Sequence, residues 1–89
     1  MNLEKSWVLQ VDPAVYKFLK KIPRHNAESI LFAIESLPND PFYGDVQKMK
    51  GEERAWRRRI GSYRIFYELI PAEKVIYVVN VERRTSSTY

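Results

Sequence analysis

The stretch Trp56-Arg57-Arg58-Arg59-Ile60-Gly61-Ser62-Tyr63-Arg64-Ile65-Phe66-Tyr67 decides how the chain is read. Two runs rich in strand formers flank Gly-Ser, the pattern of a β-hairpin closed by a tight turn. Successive side chains of a strand point to opposite faces. Arg57 and Arg59 therefore share one face, and Trp56, Arg58 and Ile60 the other. Past the turn, Tyr63, Ile65, Tyr67 and Leu69 share a face, and Arg64, Phe66 and Glu68 share its reverse. In the simplest register Arg57, Arg59 and Arg64 crowd a single solvent face. Guanidiniums gathered this way repel one another, which points to a polyanion as the occupant of the space. A solvated basic surface is the plain alternative.

The segments on either side extend the β pattern. Downstream, Pro71-Ala72-Glu73 ends the second strand, and Lys74 to Val81 forms a last one whose run Val75-Ile76-Tyr77-Val78-Val79 suits a central position. Upstream, Gly51-Glu52-Glu53 reads as a turn, and Val46 to Met49 begins or precedes a strand. The first half of the chain changes period. Ser6 to Val11 alternates like an opening strand, and Asp12-Pro13 then starts a helix, with Asp as N-cap and Pro at the first helical position. Val15, Phe18, Leu19 and Ile22 give that helix one apolar face, and Pro23 stops it. A second helix runs from near Asn26 to about Leu37 on Ala27, Ile30, Leu31, Ile34 and Leu37, and Pro38-Asn39-Asp40-Pro41 breaks it. The expected fold class is α+β: an N-terminal strand, a helical hairpin, then a three-stranded antiparallel meander against which the helices pack.

The bulk composition narrows the chemistry. Residues 1–89 are expected to form one domain, and 45% hydrophobic residues suffice for a core. The absence of cysteine removes thiol catalysis, disulfides and cysteine-ligated metals. No apolar run reaches the length of a membrane span and no signal-like start is visible, so the expected compartment is the cytoplasm. Of the fifteen basic residues behind the net charge of +4, seven lie between Lys48 and Arg64, against Glu52 and Glu53 alone. Such clustering suits a nucleic acid or an acidic protein.

Residue by residue, most catalytic readings fall away. His25 is the sole histidine and sits at a helix start; Asp12, Asp40 and Asp45 are accounted for by caps and turns. Gly44, Gly51 and Gly61 are too scattered to cradle a phosphate, and no cofactor is expected. What remains is cationic. Arginine forks match phosphate oxygens bidentately, and fixed charge of this kind is often the largest catalytic contribution in phosphoryl chemistry. Arg58 is set apart: alternation places it on the core side, where it snorkels, stacks on an aromatic, pairs with a carboxylate or is turned by a bulge, with a structural role favoured.

The pattern Leu37-x-x-Asp40-Pro41, Val46-x-Lys48-Met49-Lys50-Gly51, the Trp56–Tyr67 hairpin, and Val81-Glu82-Arg83-Arg84 with Tyr89 resembles the RelE/ParE toxin superfamily over essentially the whole chain. The RelE branch implies the toxin of a type II toxin–antitoxin system: a metal-independent endoribonuclease that cuts mRNA in the ribosomal A site and is silenced by a cognate antitoxin. The alternatives are a ParE-like gyrase inhibitor and an inactive module that binds its antitoxin. The resemblance implies catalytic roles for Arg57, Arg59, Arg64, Arg84 and Tyr89, with Arg83 in place of Arg84 if the tail shifts by one. Retention of all five positions favours the RNase. Where relatives often carry lysine, this chain has Arg57 and Arg59, and an arginine stays protonated at biological pH. Proton acceptance is therefore assigned to Tyr89, whose phenol neighbouring cations would acidify. Arg57, Arg59 and Arg64 stabilise charge, Arg84 attends the leaving group, and Lys48, Lys50, Arg54 and Arg83 hold flanking RNA or ribosome.

Overall fold

The computed structural model describes residues 7–84. Its elements run β1 (Val8–Val11), α1 (Pro13–Leu19), α2 (Arg24–Ser36), β2 (Asp45–Lys48), β3 (Ala55–Ile60), β4 (Tyr63–Ile70) and β5 (Val75–Arg83). One five-stranded sheet in the order β1-β5-β4-β3-β2 carries both helices on one face. The α+β reading holds, with two differences. The expected three-stranded meander is four-stranded, because Asp45–Lys48 pairs antiparallel with β3 as an edge strand. β1 closes the opposite edge, parallel to β5.

Proline sets the helix ends. α1 opens as expected, with the Asp12 carboxylate accepting from the Ala14 backbone N–H at 2.9 Å. It closes at Leu19, three residues before the anticipated Ile22. Pro23 accounts for this, since its ring would collide with the carbonyl four residues earlier and it disfavours helical geometry at Ile22. α2 then starts directly after Pro23, whose carbonyl accepts from the N–H groups of Asn26 and Ala27. No helix among the described residues is long and apolar enough to cross a membrane.

The core lies between the helices and one face of the sheet. Val15, Ile30, Ile34 and Leu37 pack on Ile65, Tyr67, Ile76 and Val78, all fully shielded from solvent. Each such side chain stabilises the fold by about 1.5–3 kcal/mol relative to exposure. β5 keeps its buried residues in phase only through an irregularity. Phe66 pairs with Asn80 but Tyr67 with Val78, so Val79 is an extra residue opposite that step. This bulge lets Ile76, Val78 and Val81 all face the core, and it turns Asn80 and Glu82 to the open side.

Candidate functional site: an arginine face on the open sheet

The β3–β4 register decides which arginines meet. Arg59 is paired with Arg64, and Arg57 with Phe66. Cross-strand partners share a face, so Arg57, Arg59 and Arg64 stand together on the side of the sheet that the helices leave open. β2 supplies their neighbours. Asp45 pairs with Arg59 and Gln47 with Arg57. The Arg59 Nε donates to Asp45 Oδ2 at 2.9 Å, and Arg57 donates to the Gln47 side-chain oxygen. Arg64 pairs in register with Glu82 of β5, yet makes no ion pair among the described residues. The Nε atoms of Arg57 and Arg64 are shielded from water and have no partner among the described residues. Unsatisfied donors of this kind favour an incoming acceptor.

Arg58 projects to the helix side and is held there by contacts of another kind. Its guanidinium lies over the Tyr43 ring, 5.5 Å from the centroid. Gly44, with φ of 91°, lets the chain pass so closely that a Cβ there would sit 2.9 Å from Arg58 Nε. Beneath, the Tyr67 phenol donates to the Pro41 carbonyl at 2.5 Å. Burial pushes that phenol up to about 12, with Asp40 adding to the shift and Arg58 opposing it. Arg58 thus fastens the loop that leads into β2. Stacking on an aromatic was among the roles anticipated for it.

The remaining anticipated site residues are distributed unevenly. Lys48 pairs with Trp56, so it belongs to the face opposite the three arginines. With Lys50, Gln47 and Arg57 it nevertheless borders a cleft of about 300 Å³ at the β2 edge. Arg54 is exposed just before β3, and Arg83 is exposed in register with core-facing Tyr63. The Arg84 backbone N–H donates to the Ser62 carbonyl at 2.6 Å, continuing the ladder. That register, which the bulge sets, gives Arg84 the parity of Glu82 and the open face, and Arg83 the other. Tyr89 lies outside the described residues. Phe66, Glu68, Asn80 and Glu82 share the open face and were not singled out as site residues. Parity with Arg64 already placed Phe66 and Glu68 there, whereas Asn80 and Glu82 depended on the bulge. At the far end of the face the Tyr77 hydroxyl donates to Asp12 at 2.8 Å. The Ala14 N–H and then Tyr77 hold the Asp12 carboxyl below the usual carboxylate range, and Asp12 in turn raises the Tyr77 phenol. No group of three or more metal-ligating side chains occurs among the described residues.

The structure is a small α+β domain with arginines paired across an uncovered sheet face, and the comparisons give its family. Residues 9–87 match the family described as ParE toxin of type II toxin-antitoxin system, parDE, and the chain belongs to that family. It is therefore the toxin component of such a system, within the RelE/ParE superfamily. A relative described as "Putative toxin RelE1" from Methanocaldococcus jannaschii is 28% identical over 79 residues, covering 85% of this chain and 88% of the relative. The fold is similar to that in the archaeal RelE–RelB complex from Pyrococcus horikoshii, with a TM-score of 0.80, 24% identity and coverage of 92% of this chain and 99% of that one. The RelB–RelE antitoxin–toxin complex from Methanococcus jannaschii is similar at a TM-score of 0.69 and 27% identity, over 83% of this chain and 88% of that one.

Proposed function

We propose that this toxin is a ribosome-dependent, metal-independent endoribonuclease that cleaves mRNA in the A site. The observation that carries the reading is the register that sets Arg57, Arg59 and Arg64 side by side on the open sheet face. A scissile phosphate seated across them would find bidentate donors on several sides. The ribose 2′-oxygen attacks phosphorus, the bond to the 5′-oxygen breaks, and a 2′,3′-cyclic phosphate remains. The three guanidiniums offset the additional negative charge of the phosphorane, which they can do without reorganising. Tyr89 takes the 2′-OH proton, and Arg84 steadies the departing 5′-oxygen, which takes up a proton from solvent water to leave as the 5′-OH. Lys48, Lys50, Arg54 and Arg83 hold flanking phosphates of mRNA or ribosomal RNA.

The relatives support a partner as well. Two of the similar structures are complexes of a RelE toxin with RelB, and a cognate antitoxin that covers this chain follows by analogy. Its place of action is then the cytoplasm. The matched family is described through ParE, so gyrase inhibition is the competing reading. A translating extract separates the two. Addition of the purified toxin should truncate mRNA only where ribosomes engage it, leaving cyclic or 3′-phosphate ends. Intact mRNA together with blocked supercoiling by gyrase would overturn the RNase in favour of the other branch.

A further inference from the structure

Beside the arginines the open face contains a hollow of about 350 Å³. Phe66 and Ala55 line it from the sheet, and Glu52, Glu68, Asn80 and Glu82 stand around it. Phe66 is its central residue, cross-strand neighbour of Arg57 on one side and Asn80 on the other. The polar groups are mostly acceptors. Three are carboxylates, which accept hydrogen bonds only. Asn80 donates one Nδ2–H to Glu82 Oε2 at 3.1 Å, which leaves its carbonyl oxygen to accept and one N–H to donate. A ligand for this hollow must be flat enough to lie on an aromatic ring and must present donors at its edge.

We propose that the hollow is a nucleobase pocket selective for guanine, occupied by the base of a nucleotide whose phosphate rests on Arg57 and Arg64. The inference rests on the phosphate-binding reading above and adds a specificity that this reading does not contain. Guanine carries two adjacent donors, N1–H and the N2 amino group, which one carboxylate can accept together. Uracil offers a single N–H between two carbonyls, and those carbonyls would face the carboxylates. Each two-point contact of this kind discriminates strongly between bases. Phe66 supplies the stacking surface common to single-strand readers. Carboxylates alone would equally suit a basic side chain; the aromatic ring and the arginines two positions away select a nucleotide. Arg64 and Phe66 are about 7 Å apart along one face of the strand. The bulge in β5 belongs to this device, because it brings Asn80 and Glu82 to the open face.

The test uses the full-length toxin with guanosine 5′-monophosphate and uridine 5′-monophosphate, followed by NMR titration. Guanosine monophosphate should bind at least about tenfold more tightly than uridine monophosphate. It should also shift the Phe66 ring and the Asn80 side-chain amide. Glu68→Gln combined with Glu82→Gln should reduce that preference to below about threefold while leaving the uridine nucleotide little changed. Phe66→Val should weaken both nucleotides by about tenfold. Equal affinities, shifts confined to the arginines, or no binding of either nucleotide would overturn the pocket. Cleavage of ribosome-bound mRNA by the same preparation reports separately on catalysis. A toxin that cuts mRNA but treats the two nucleotides alike keeps its activity and loses the pocket. One that prefers the guanine nucleotide but leaves mRNA intact does the reverse.

Discussion

On one side of the β3–β4 hairpin, Arg57, Arg59 and Arg64 lie on an open sheet among side chains of edge strands and solvent. On the other side Arg58, their neighbour in the chain, is wedged between Tyr43, Gly44 and the layer containing Tyr67. The residue type is the same and the sequence separation is one. The pleat alone assigns one guanidinium to the loop that builds the sheet edge and three to a surface where, among the described residues, Asp45 makes the ion pair and Glu82 stands in register with Arg64. Cation density in a sequence therefore says little until parity has divided it. The open side should govern chemistry and the closed side stability.

The sharpest way to break this division is Arg64→Ala. On the open face and free of an ion pair among the described residues, Arg64 should matter to cleavage far more than to folding. Single-turnover cleavage of ribosome-bound mRNA should fall by about 10²–10³-fold, the loss typical of removing one fixed donor to a transition state. Thermal melting should shift by no more than a change of about 0.5 kcal/mol implies. If the melting temperature collapses along with activity, the two faces are not separable.

The closed side makes the next largest claim, through Tyr67→Phe. The phenol is buried, donates to the Pro41 carbonyl, and is pushed up to about 12 from an ordinary 10.0. A group raised in this way favours folding while protonated. Its contribution is complete below pH 10 and disappears as pH climbs through 12. Urea melts between pH 8 and pH 12 should show wild type losing about 2 kcal/mol more than Tyr67→Phe over the upper part of that range. Near neutral pH the variant should be weaker by about 1–2 kcal/mol, since the Pro41 carbonyl is left without its donor. Identical alkaline limbs would mean that Tyr67 does not titrate in the folded protein.

Much of this division was legible from alternation. Tyr63, Ile65, Tyr67 and Leu69 are all buried, as their spacing requires, and the three arginines share the reverse side. Three things were legible only in part or not at all, each for a physical reason. Val46 to Met49 reads as beginning or preceding a strand, but the four-residue edge strand Asp45–Lys48 is too short for its alternation to fix its bounds or its pairing with β3. The Pro23 boundary was placed too late for α1 because a proline ends a helix through the carbonyl four residues before it, not at its own position. The β5 bulge has no sequence signature at all. Val75 to Val79 is uniformly apolar, and the phase change becomes visible only when Phe66 and Tyr67 are seen to skip a partner. That skip gives Arg84, which the resemblance favours for the catalytic position, the parity of the open face, and Arg83 the other.

Arg58→Gln sharpens the comparison from the opposite side. The substitution keeps a long polar side chain but removes the charge over Tyr43. Stacking of a partly exposed guanidinium contributes about 1 kcal/mol, and chemical denaturation should show a loss of that size. Cleavage measured well below the melting temperature should stay within about threefold of wild type, the scatter expected of a substitution away from the reacting phosphate. Because Arg58 is the charge that lowers the Tyr67 phenol, its removal should also move the alkaline transition to higher pH. A loss of activity as large as that of Arg64→Ala would place Arg58 in the reaction and dissolve the distinction between the faces.

The smallest effect belongs to Asp45→Asn, and it asks what the acidic neighbour does on the arginine face. The Arg59–Asp45 pair is 40% and 59% exposed at its two side chains, so water screens it and its contribution to stability should be below about 0.5 kcal/mol. Its electrostatic influence on an arriving polyanion is different in kind. A phosphate must compete with the Asp45 carboxylate for the Arg59 guanidinium and is repelled by it at the same time. With the carboxylate gone, affinity for a short single-stranded RNA should rise by about two- to fivefold at low salt, and the gain should fade as ionic strength shortens the screening length. Filter binding at two salt concentrations measures it. If Asp45→Asn instead weakens binding, then the carboxylate orients Arg59 for its ligand rather than competing with it, and the 2.9 Å contact is part of the site's preorganisation.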